Sequence, residues 1–232
     1  MNSPQSMSLA TVLARIVVLG FFVIPGVAMT ADRAEAQRVV ILQHEPRHRM
    51  VHDAGEMKVF DIQMLPGDTT LMHTHSYPII YTFISSGNGP SDGRVSANVD
   101  YLTESYTHQA ANPGDQLFRI IALEHYGSAA PSVTANRPDG MSGEPQLENA
   151  WFRSYRLELA PGEQTPVLMH HNPALIVQVS DGHTEVTKEN GFGADLEEMG
   201  DWTWRDPHSS YRIRNAGSTP VSVVVNEGRQ GY

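Results

Sequence analysis

An internal repeat constrains the fold of this chain more than any other feature of its sequence. Residues 57–67 (MKVFDIQMLPG) and 152–162 (FRSYRLELAPG) both alternate apolar with polar side chains, and both end in Pro-Gly. An alternation with period two predicts a half-buried strand, and Pro-Gly predicts the turn that ends it. The same predicted strand and turn therefore occur twice in the chain, at residues 57–67 and 152–162.

The match continues further along the chain. Residues 108–124 (HQAANPGDQLFRIIALE) align without a gap on residues 211–227 (YRIRNAGSTPVSVVVNE), and Asn112 falls on Asn215. The offset in residue number between aligned positions is larger here than in the first block. The second copy therefore has extra residues between the two blocks. Two blocks in the same order indicate a duplicated structural unit.

Each copy predicts a run of short strands separated by Gly, Pro, Asn and Asp, with no helical period. This pattern is typical of an antiparallel sandwich or barrel. A chain of 232 residues with 40% hydrophobic residues is long enough for one large domain or for two small ones, each with its own core. Residues 127–149 are rich in Gly, Pro and Ser and read as a linker or crossing loop. We expect a first barrel at 37–127, a linker at 128–148 and a second barrel at 149–232.

The first 36 residues differ from the rest. Arg15 precedes the apolar run IVVLGFFVIPGVAM at 16–29, and Ala34-Glu35-Ala36 provides a small-x-small cleavage pattern. The run is short and is interrupted by Gly20 and Pro25, so it predicts a signal peptide at 1–36 and a secreted or periplasmic protein. An uncleaved N-terminal anchor is the main alternative, and a buried core helix is a weaker one.

Charge and cysteine content limit the chemistry. The formal net charge of −10 disfavours nucleic acid as a partner. The chain has no cysteine, which excludes disulfides, thiolate nucleophiles and cysteine ligands to a metal. Its 11 histidines leave imidazole nitrogen and oxygen atoms as the available metal ligands.

Two short motifs in the first copy have a specific spacing of glycine, histidine and asparagine. Gly67 is followed by five residues and then by His73-Thr74-His75, which is similar to the first motif of the cupin superfamily, and His108 followed by Asn112 is similar to the end of the second. In the second copy, residues 200–217 (GDWTWRDPHSSYRIRNAG) resemble the corresponding stretch of many bacterial cupins. The resemblance covers most of residues 38–228. It implies an all-β fold of two tandem jelly-roll barrels, a bicupin, after the signal peptide.

The resemblance also implies a metal site in the first barrel at His73, His75 and His108. Residues two apart on a strand project from one face, so His73 and His75 both have access to the barrel interior. The glutamate that the cupin motif places four or five residues further on is missing, because Ile80 and Tyr81 occupy those positions. Interior histidines that bind one another in a barrel without metal are the alternative.

The second copy departs further from the cupin pattern. Leu168 replaces the first histidine, His170 keeps the second, Leu175 stands at the glutamate position, and Tyr211 replaces the last histidine. We therefore expect the second barrel to be degenerate and structural. His170, His171 and His208 are weak candidates for a second site, since His170 and His171 are adjacent and would point to opposite faces of a strand.

Three neutral imidazoles suit a divalent transition metal and leave open coordination positions. Iron(II) is the favoured ion, and manganese, nickel, zinc and copper are alternatives. An ion without a carboxylate ligand keeps its full charge, so a small organic anion is the expected substrate. Three-histidine cupins include oxygenases, and the resemblance thus permits a dioxygenase-type enzyme. The alternatives are a non-catalytic small-ligand or metal-binding protein of the cell envelope and an interaction scaffold.

A few other residues are weaker candidates. Tyr81 and Glu104 are candidates for a fourth ligand or an acid/base group, although a core aromatic and a surface carboxylate are the simpler interpretation. His44, His48 and His52 are spaced by four, but Pro46 argues against a helix, so we expect a solvated loop or strand there. Edge strands of cupin barrels often pair between chains, and a homodimer is therefore one expected assembly.

Overall fold

The computed structural model describes residues 38–231 as an almost entirely β structure. Two short 3-10 helices, at Leu42–His44 and Asp100–Leu102, are the helical elements of this range. The strands of the first half are β1 Val40–Ile41, β2 His48–Asp53, β3 Met57–Met64, β4 His73–His75, β5 Ile79–Ser86, β6 Pro90–Asn98, β7 Tyr106–His108 and β8 Phe118–His125. Those of the second half are β9 Leu147–Glu148, β10 Phe152–Leu159, β11 Leu168–His170, β12 Ala174–Gln178, β13 Thr184–Lys188, β14 Gly193–Leu196, β15 Trp202–Arg205, β16 Ser209–Asn215 and β17 Val221–Gly228.

The strands form four sheets, two in each half of the chain. The first half contains a five-stranded sheet in the order β2-β3-β8-β5-β6 and a three-stranded sheet in the order β1-β4-β7. The second half contains a five-stranded sheet in the order β9-β10-β17-β12-β15 and a four-stranded sheet in the order β11-β16-β13-β14. Each half is thus one two-sheet unit, and the predicted all-β fold of tandem jelly-roll barrels is confirmed.

The strand register reproduces the alignment of the repeat. His73 on β4 lies opposite His108 on β7, and Leu168 on β11 lies opposite Tyr211 on β16. The sequence repeat aligns His73 with Leu168 and His108 with Tyr211, so equivalent residues form the cross-strand pair in each half. The duplication therefore extends to individual cross-strand pairs.

A buried asparagine in the second block of the repeat makes the same contacts in both copies. The Asn112 side chain donates to the carbonyls of Met64 and Gln116, and its Oδ1 accepts from the Gly114 N–H. Asn215 makes the equivalent three hydrogen bonds at the same positions of the second half. Because buried backbone groups need partners, this asparagine fastens the turn to the neighbouring strand in each barrel.

The five-stranded sheets of the two halves share one hydrophobic core. A buried cluster joins side chains from both halves: Met57, Val59, Ile80, Ile84, Ile121, Leu123, Phe152, Leu175, Val177, Val179 and Val224. Asn226 also donates a buried hydrogen bond of 2.8 Å to the Thr82 hydroxyl across this core. Residues 38–231 accordingly belong to one compact unit.

Some predictions about domain organisation stay predictions. The signal peptide at 1–36 lies outside the described residues. Strand β9 occupies Leu147–Glu148, which includes the end of the segment predicted as a linker. In residues 38–231, no helix is long and apolar enough to cross a membrane.

Candidate metal centre

Four histidine rings converge inside the first barrel. His73 and His75 lie on β4, and their ring centroids are 5.1 Å apart. His108 on β7 lies 4.5 Å from His73 and 5.1 Å from His75, again between ring centroids. The structure therefore brings together the three histidines that the sequence singled out. The fourth ring belongs to His48, whose centroid is 4.5 Å from that of His73.

The expectation of a solvated loop or strand holds for His44 and for most of β2 but is wrong for His48. The 3-10 helix Leu42–His44 turns the chain into β2, where His48 lies opposite Ile62 and is buried, with 6% of its surface exposed. Pro46 excludes a helix, as expected, but a strand against the barrel interior satisfies the same restriction. Spacing alone carries no information about which of His44, His48 and His52 faces inward.

Two of the rings are oriented by hydrogen bonds at their Nδ1 atoms. His48 Nδ1 lies 2.7 Å from a carboxylate oxygen of Glu45, and His73 Nδ1 lies 2.9 Å from the Leu71 carbonyl. An acceptor at Nδ1 places the ring proton there and leaves the Nε2 lone pair free. Metal-bound histidines are held in this way in most proteins.

Glu45 is itself a well-anchored carboxylate. It is almost fully buried and accepts hydrogen bonds from the N–H groups of Arg47 and Leu71 as well as from His48. Burial alone raises its pKa, but these hydrogen bonds together outweigh burial and lower the pKa below its usual value. Glu45 is therefore ionised and supports the His48 imidazole.

The free nitrogens lie at distances that suit a shared ion. Within residues 38–231, ligand atoms of His48, His73 and His75 all lie within 4.8 Å of one another. Nε2 of His75 lies 3.1 Å from Nε2 of His108, close to the separation of about 3 Å between two nitrogens that each bind one metal at about 2.1 Å. Nε2 of His73 is buried and has no hydrogen-bond partner in the described structure. The residues present thus fit a divalent metal.

Burial favours the neutral form of three of the imidazoles, those of His73, His75 and His108. Burial lowers the pKa of His75 to about 3, with a further contribution from the other three rings. Burial, followed by His73 and His48, lowers the pKa of His108 to about 4. Burial also lowers the pKa of His73. Neutral rings offer the lone pairs that metal binding requires.

A cavity of about 250 Å³ adjoins the histidines. His48, His75 and His108 supply one part of its wall. The remaining lining is mostly apolar or aromatic: Ile62, Met64, Tyr81, Phe83, Ser96, Tyr101, Ala110, Phe118 and Ile120. No Asp, Glu, Lys or Arg belongs to this lining, so the histidine cluster is its main polar feature.

Tyr81 and Glu104, the weaker candidates, have different positions. Tyr81 lines the cavity and is hydrogen-bonded to Tyr101. Burial, followed by the Tyr101 phenol, raises the pKa of Tyr81 well above its usual value, so its hydroxyl stays protonated and serves as a donor, not a base. Glu104 is exposed in the bend after Asp100–Leu102 and is not part of the lining. The interpretation of Glu104 as a surface carboxylate matches this position.

The corresponding position in the second barrel is filled by a hydrogen-bonded chain. The Tyr211 hydroxyl lies 2.9 Å from His170 Nε2, and His170 Nδ1 lies 2.7 Å from Glu227. Glu227 also accepts a hydrogen bond of 2.9 Å from Arg153, and all four side chains are buried. The Tyr211 hydroxyl is therefore hydrogen-bonded to His170 Nε2, the atom whose lone pair a metal would need.

The other histidines lie apart from the first-barrel cluster. His44 is exposed, and His52 packs against Trp204 with 5.0 Å between ring centroids. His171 and His208 make an edge contact, with centroids 5.8 Å apart.

The sequence matches no protein-family model and no curated protein. The structure is similar to AerE from Microcystis aeruginosa, with 13% identity and a TM-score of 0.55 over 77% of this chain and 90% of that chain. It is also similar to a salicylate 1,2-dioxygenase from Pseudaminobacter salicylatoxidans, with 11% identity and a TM-score of 0.53 over 75% of this chain and 71% of that chain. A variant of that enzyme in complex with gentisate gives 12% identity and a TM-score of 0.50 over 75% and 69% of the chains.

Each of these alignments covers more of the chain than one barrel contains, so both barrels take part in the likeness. At such low identity, similarity of structure establishes the fold and not the activity. Together with the strand order and the motif residues Gly67, His73, His75, His108 and Asn112, it identifies the chain as a protein of the cupin fold.

Proposed function

We propose that this chain is a metal-dependent cupin enzyme that acts on a small organic anion, with oxygenase-type chemistry. The observation that carries the proposal is the convergence of four imidazoles beside a mostly apolar and aromatic cavity of about 250 Å³, which three of them, His48, His75 and His108, line. Open cavities with few polar groups are typical of sites for small molecules.

His73, His75 and His108 are the proposed metal ligands, and His48 takes the place of the missing carboxylate. An all-nitrogen ligand set suits iron, zinc, nickel or copper better than magnesium or calcium. Iron(II) is the ion we favour, with manganese, nickel, zinc or copper as alternatives. An iron(II) ion held here would supply the dioxygen chemistry of an oxygenase.

The charge of the cavity favours an anionic substrate. Its lining contains no lysine or arginine and no carboxylate, so the ion held by neutral histidines would be its main charge. Tyr81 and Tyr101 add phenolic groups, and Phe83 and Phe118 add aromatic surface. Small aromatic acids fit this combination, and the similar dioxygenase structures concern salicylate and gentisate.

Metal analysis tests the site. We expect about one divalent ion per chain in the wild type, because the second position is filled by Tyr211 and His170. His73→Ala and His75→Ala should each lower the metal content at least tenfold. His44→Ala changes an exposed histidine and is the matched control. Equal metal content in all four proteins would refute the site.

Oxygen uptake tests the activity. Metal-loaded protein is screened with salicylate, gentisate, diketones, flavonols and small thiols. We expect uptake with at least one anionic aromatic substrate, loss of uptake in His75→Ala, and normal uptake in His44→Ala. Metal binding without uptake on any substrate would reject the oxygenase.

One observation favours a second candidate, a non-catalytic metal-binding or small-ligand protein of the cell envelope. Glu104 lies outside the cavity, Tyr81 keeps its proton, and the described lining contains no carboxylate to act as a general base. Tight binding of an aromatic acid without turnover would support this candidate.

The location of the protein belongs to the proposal as well. We propose export, on the apolar run at 16–29 and the cleavage pattern that ends at Ala36. N-terminal sequencing of the protein from its native source tests this, and a mature chain that starts near Gln37 is the expected result.

A further inference from the structure

Glu124 is a buried carboxylate in the first barrel that the proposed metal chemistry does not use. It lies on β8 with 1% of its surface exposed. Its one side-chain hydrogen bond comes from the Tyr126 hydroxyl, and no ion pair of residues 38–231 includes it. A buried carboxylate without a cationic partner is rare, because burial of an unpaired charge is costly.

The repeat identifies what is missing around Glu124. Its counterpart in the second barrel is Glu227, which accepts hydrogen bonds from Arg153 at 2.9 Å and from His170 at 2.7 Å. Lys58 lies opposite Glu124 just as Arg153 lies opposite Glu227. In the second barrel, the chain itself supplies the positive charge.

In the first barrel, the residues equivalent to Arg153 and His170 are Lys58 and His75, and both form contacts with other groups. The Lys58 ammonium forms an ion pair with Asp53. His75, the counterpart of His170, joins the histidine cluster, where Nε2 lies 3.1 Å from His108. Glu124 has therefore kept its position, but neither counterpart forms a hydrogen bond or an ion pair with it.

A second cavity of about 250 Å³ lies beside Glu124. It shares no lining residue with the cavity at the histidines. Its lining consists of one carboxylate, two aromatic rings, three uncharged polar residues and two aliphatic side chains: Glu124, Tyr77, Tyr126, Gln43, Thr74, Ser76, Ile41 and Leu42. The rings of Tyr77 and Tyr126 are 4.3 Å apart between centroids and stand next to the carboxylate.

We propose that this cavity is a second ligand site, which binds a small primary alkylammonium ion on Glu124. The carboxylate supplies the opposite charge, and the tyrosine faces attract cations. The oxygen atoms of Gln43, Thr74 and Ser76 provide acceptors for ammonium N–H groups, which favours a primary over a quaternary ammonium.

The protonation of Glu124 agrees with this assignment. Burial raises the pKa of Glu124 to about 7, against the smaller opposing effects of Tyr126 and Lys58. A cation that binds the ionised form must displace the proton, so its affinity should increase as the pH rises from 6 to 8. Lys58, Tyr126 and Tyr81 are titratable groups that interact electrostatically with Glu124, and Lys58 does so while its ammonium pairs with Asp53.

The experiment measures binding of butylammonium chloride to the zinc-loaded protein at pH 8 by calorimetry. Butanol serves as the neutral analogue, and potassium chloride and tetramethylammonium chloride as other cations. We expect butylammonium to bind most tightly, and Glu124→Gln to weaken it at least tenfold without changing the weak binding of butanol. Glu56→Gln replaces an exposed carboxylate and should leave the affinity unchanged.

A second variant guards against a folding defect. Ser76→Phe narrows the cavity without touching the carboxylate and should also abolish binding, while circular dichroism and zinc content stay as in the wild type. Equal affinity of the wild type and Glu124→Gln would overturn the proposal. So would equal affinity for butylammonium and potassium, or no binding to the wild type. None of these results depends on the activity of the histidine site.

Discussion

Glu45 and the Leu71 carbonyl determine which nitrogens of the histidine cluster are available. By accepting hydrogen bonds at Nδ1 of His48 and His73, they leave Nε2 of each ring free to face the other histidines. The Leu71 carbonyl is itself a backbone group, and the Glu45 carboxylate is held by the backbone N–H groups of Arg47 and Leu71. The metal site is therefore largely preformed, and its affinity depends on side chains that do not touch the ion.

Replacing Glu45 should weaken metal binding without removing a ligand. In Glu45→Gln, the His48 ring loses the charge that fixes its orientation, and we expect metal affinity to fall about 10- to 100-fold. Competition with a chelator measures the change. Glu104→Gln, at an exposed carboxylate, is the control and should keep wild-type affinity. An unaltered affinity in Glu45→Gln would mean that His48 is not a ligand.

Glu124 predicts a pH dependence of stability. Its pKa is raised from 4.5 to about 7 in the folded protein, so the folded state holds a proton that the unfolded chain has released. The resulting stabilisation is complete below about pH 4.5 and is lost as the pH rises through 7. Between these limits, wild type should lose roughly 3 kcal/mol relative to Glu124→Gln. Urea unfolding from pH 4.5 to 8 measures this, and parallel curves for the two proteins would contradict it.

Three of the four converging histidines could be predicted from the sequence, because His73, His75 and His108 belong to motifs with fixed spacing. His48 could not. It comes from a separate strand, and its inward direction depends on its pairing with Ile62, which local sequence does not specify. The absence of an ion pair at Glu124 could not be predicted either. It depends on the directions in which the Lys58 and His75 side chains point, and the sequence gives only their identities.

Two pairs of strands show how one element supports different chemistry. In β4 and β7, His73 lies opposite His108, whereas in β11 and β16 the same register places Leu168 opposite Tyr211. The backbone is retained, and the substituted side chains convert a ligand set into a buried hydrogen-bonded chain. The repeat made this arrangement of strands predictable, because equal turn residues recur at equal positions in both copies.

The hydrogen bonds that link the side chains of Tyr211, His170 and Glu227 should contribute to stability and not to metal binding. Tyr211→Phe removes the hydroxyl from His170 Nε2 and leaves a buried acceptor unpaired, at a cost of about 1–3 kcal/mol. Denaturant unfolding measures the loss. The metal content of the first barrel should stay at its wild-type value. A variant with unchanged stability, or with less metal, would show that these hydrogen bonds have another role.

At the scale of the whole molecule, the two barrels are joined by their five-stranded sheets. The shared core contains side chains from both halves, and the hydrogen bond from Asn226 to Thr82 is buried within it. The sequence predicted two barrels, since the alternation in β3 and β10 indicates one apolar face in each strand. It did not reveal the shared core, to which these two strands contribute Met57, Val59 and Phe152 and other strands of the five-stranded sheets contribute most of the rest.

A shared core predicts that the barrels unfold together. Trp151, Trp202 and Trp204 pack against the shared core and report on it through fluorescence, and cobalt(II) bound at the histidines reports on the first barrel through its absorption. We expect both signals to change at the same denaturant concentration. Loss of the cobalt signal well before the fluorescence change would mean that the first barrel unfolds independently.

X-ray absorption of the zinc-loaded protein tests the central claim most directly, because it counts the imidazoles on the ion. We predict a first shell of nitrogen at about 2.0–2.1 Å with at least three imidazole ligands, and the loss of one imidazole in His75→Ala. A shell dominated by oxygen with one imidazole or none, or the same spectrum in His75→Ala as in the wild type, would contradict the account.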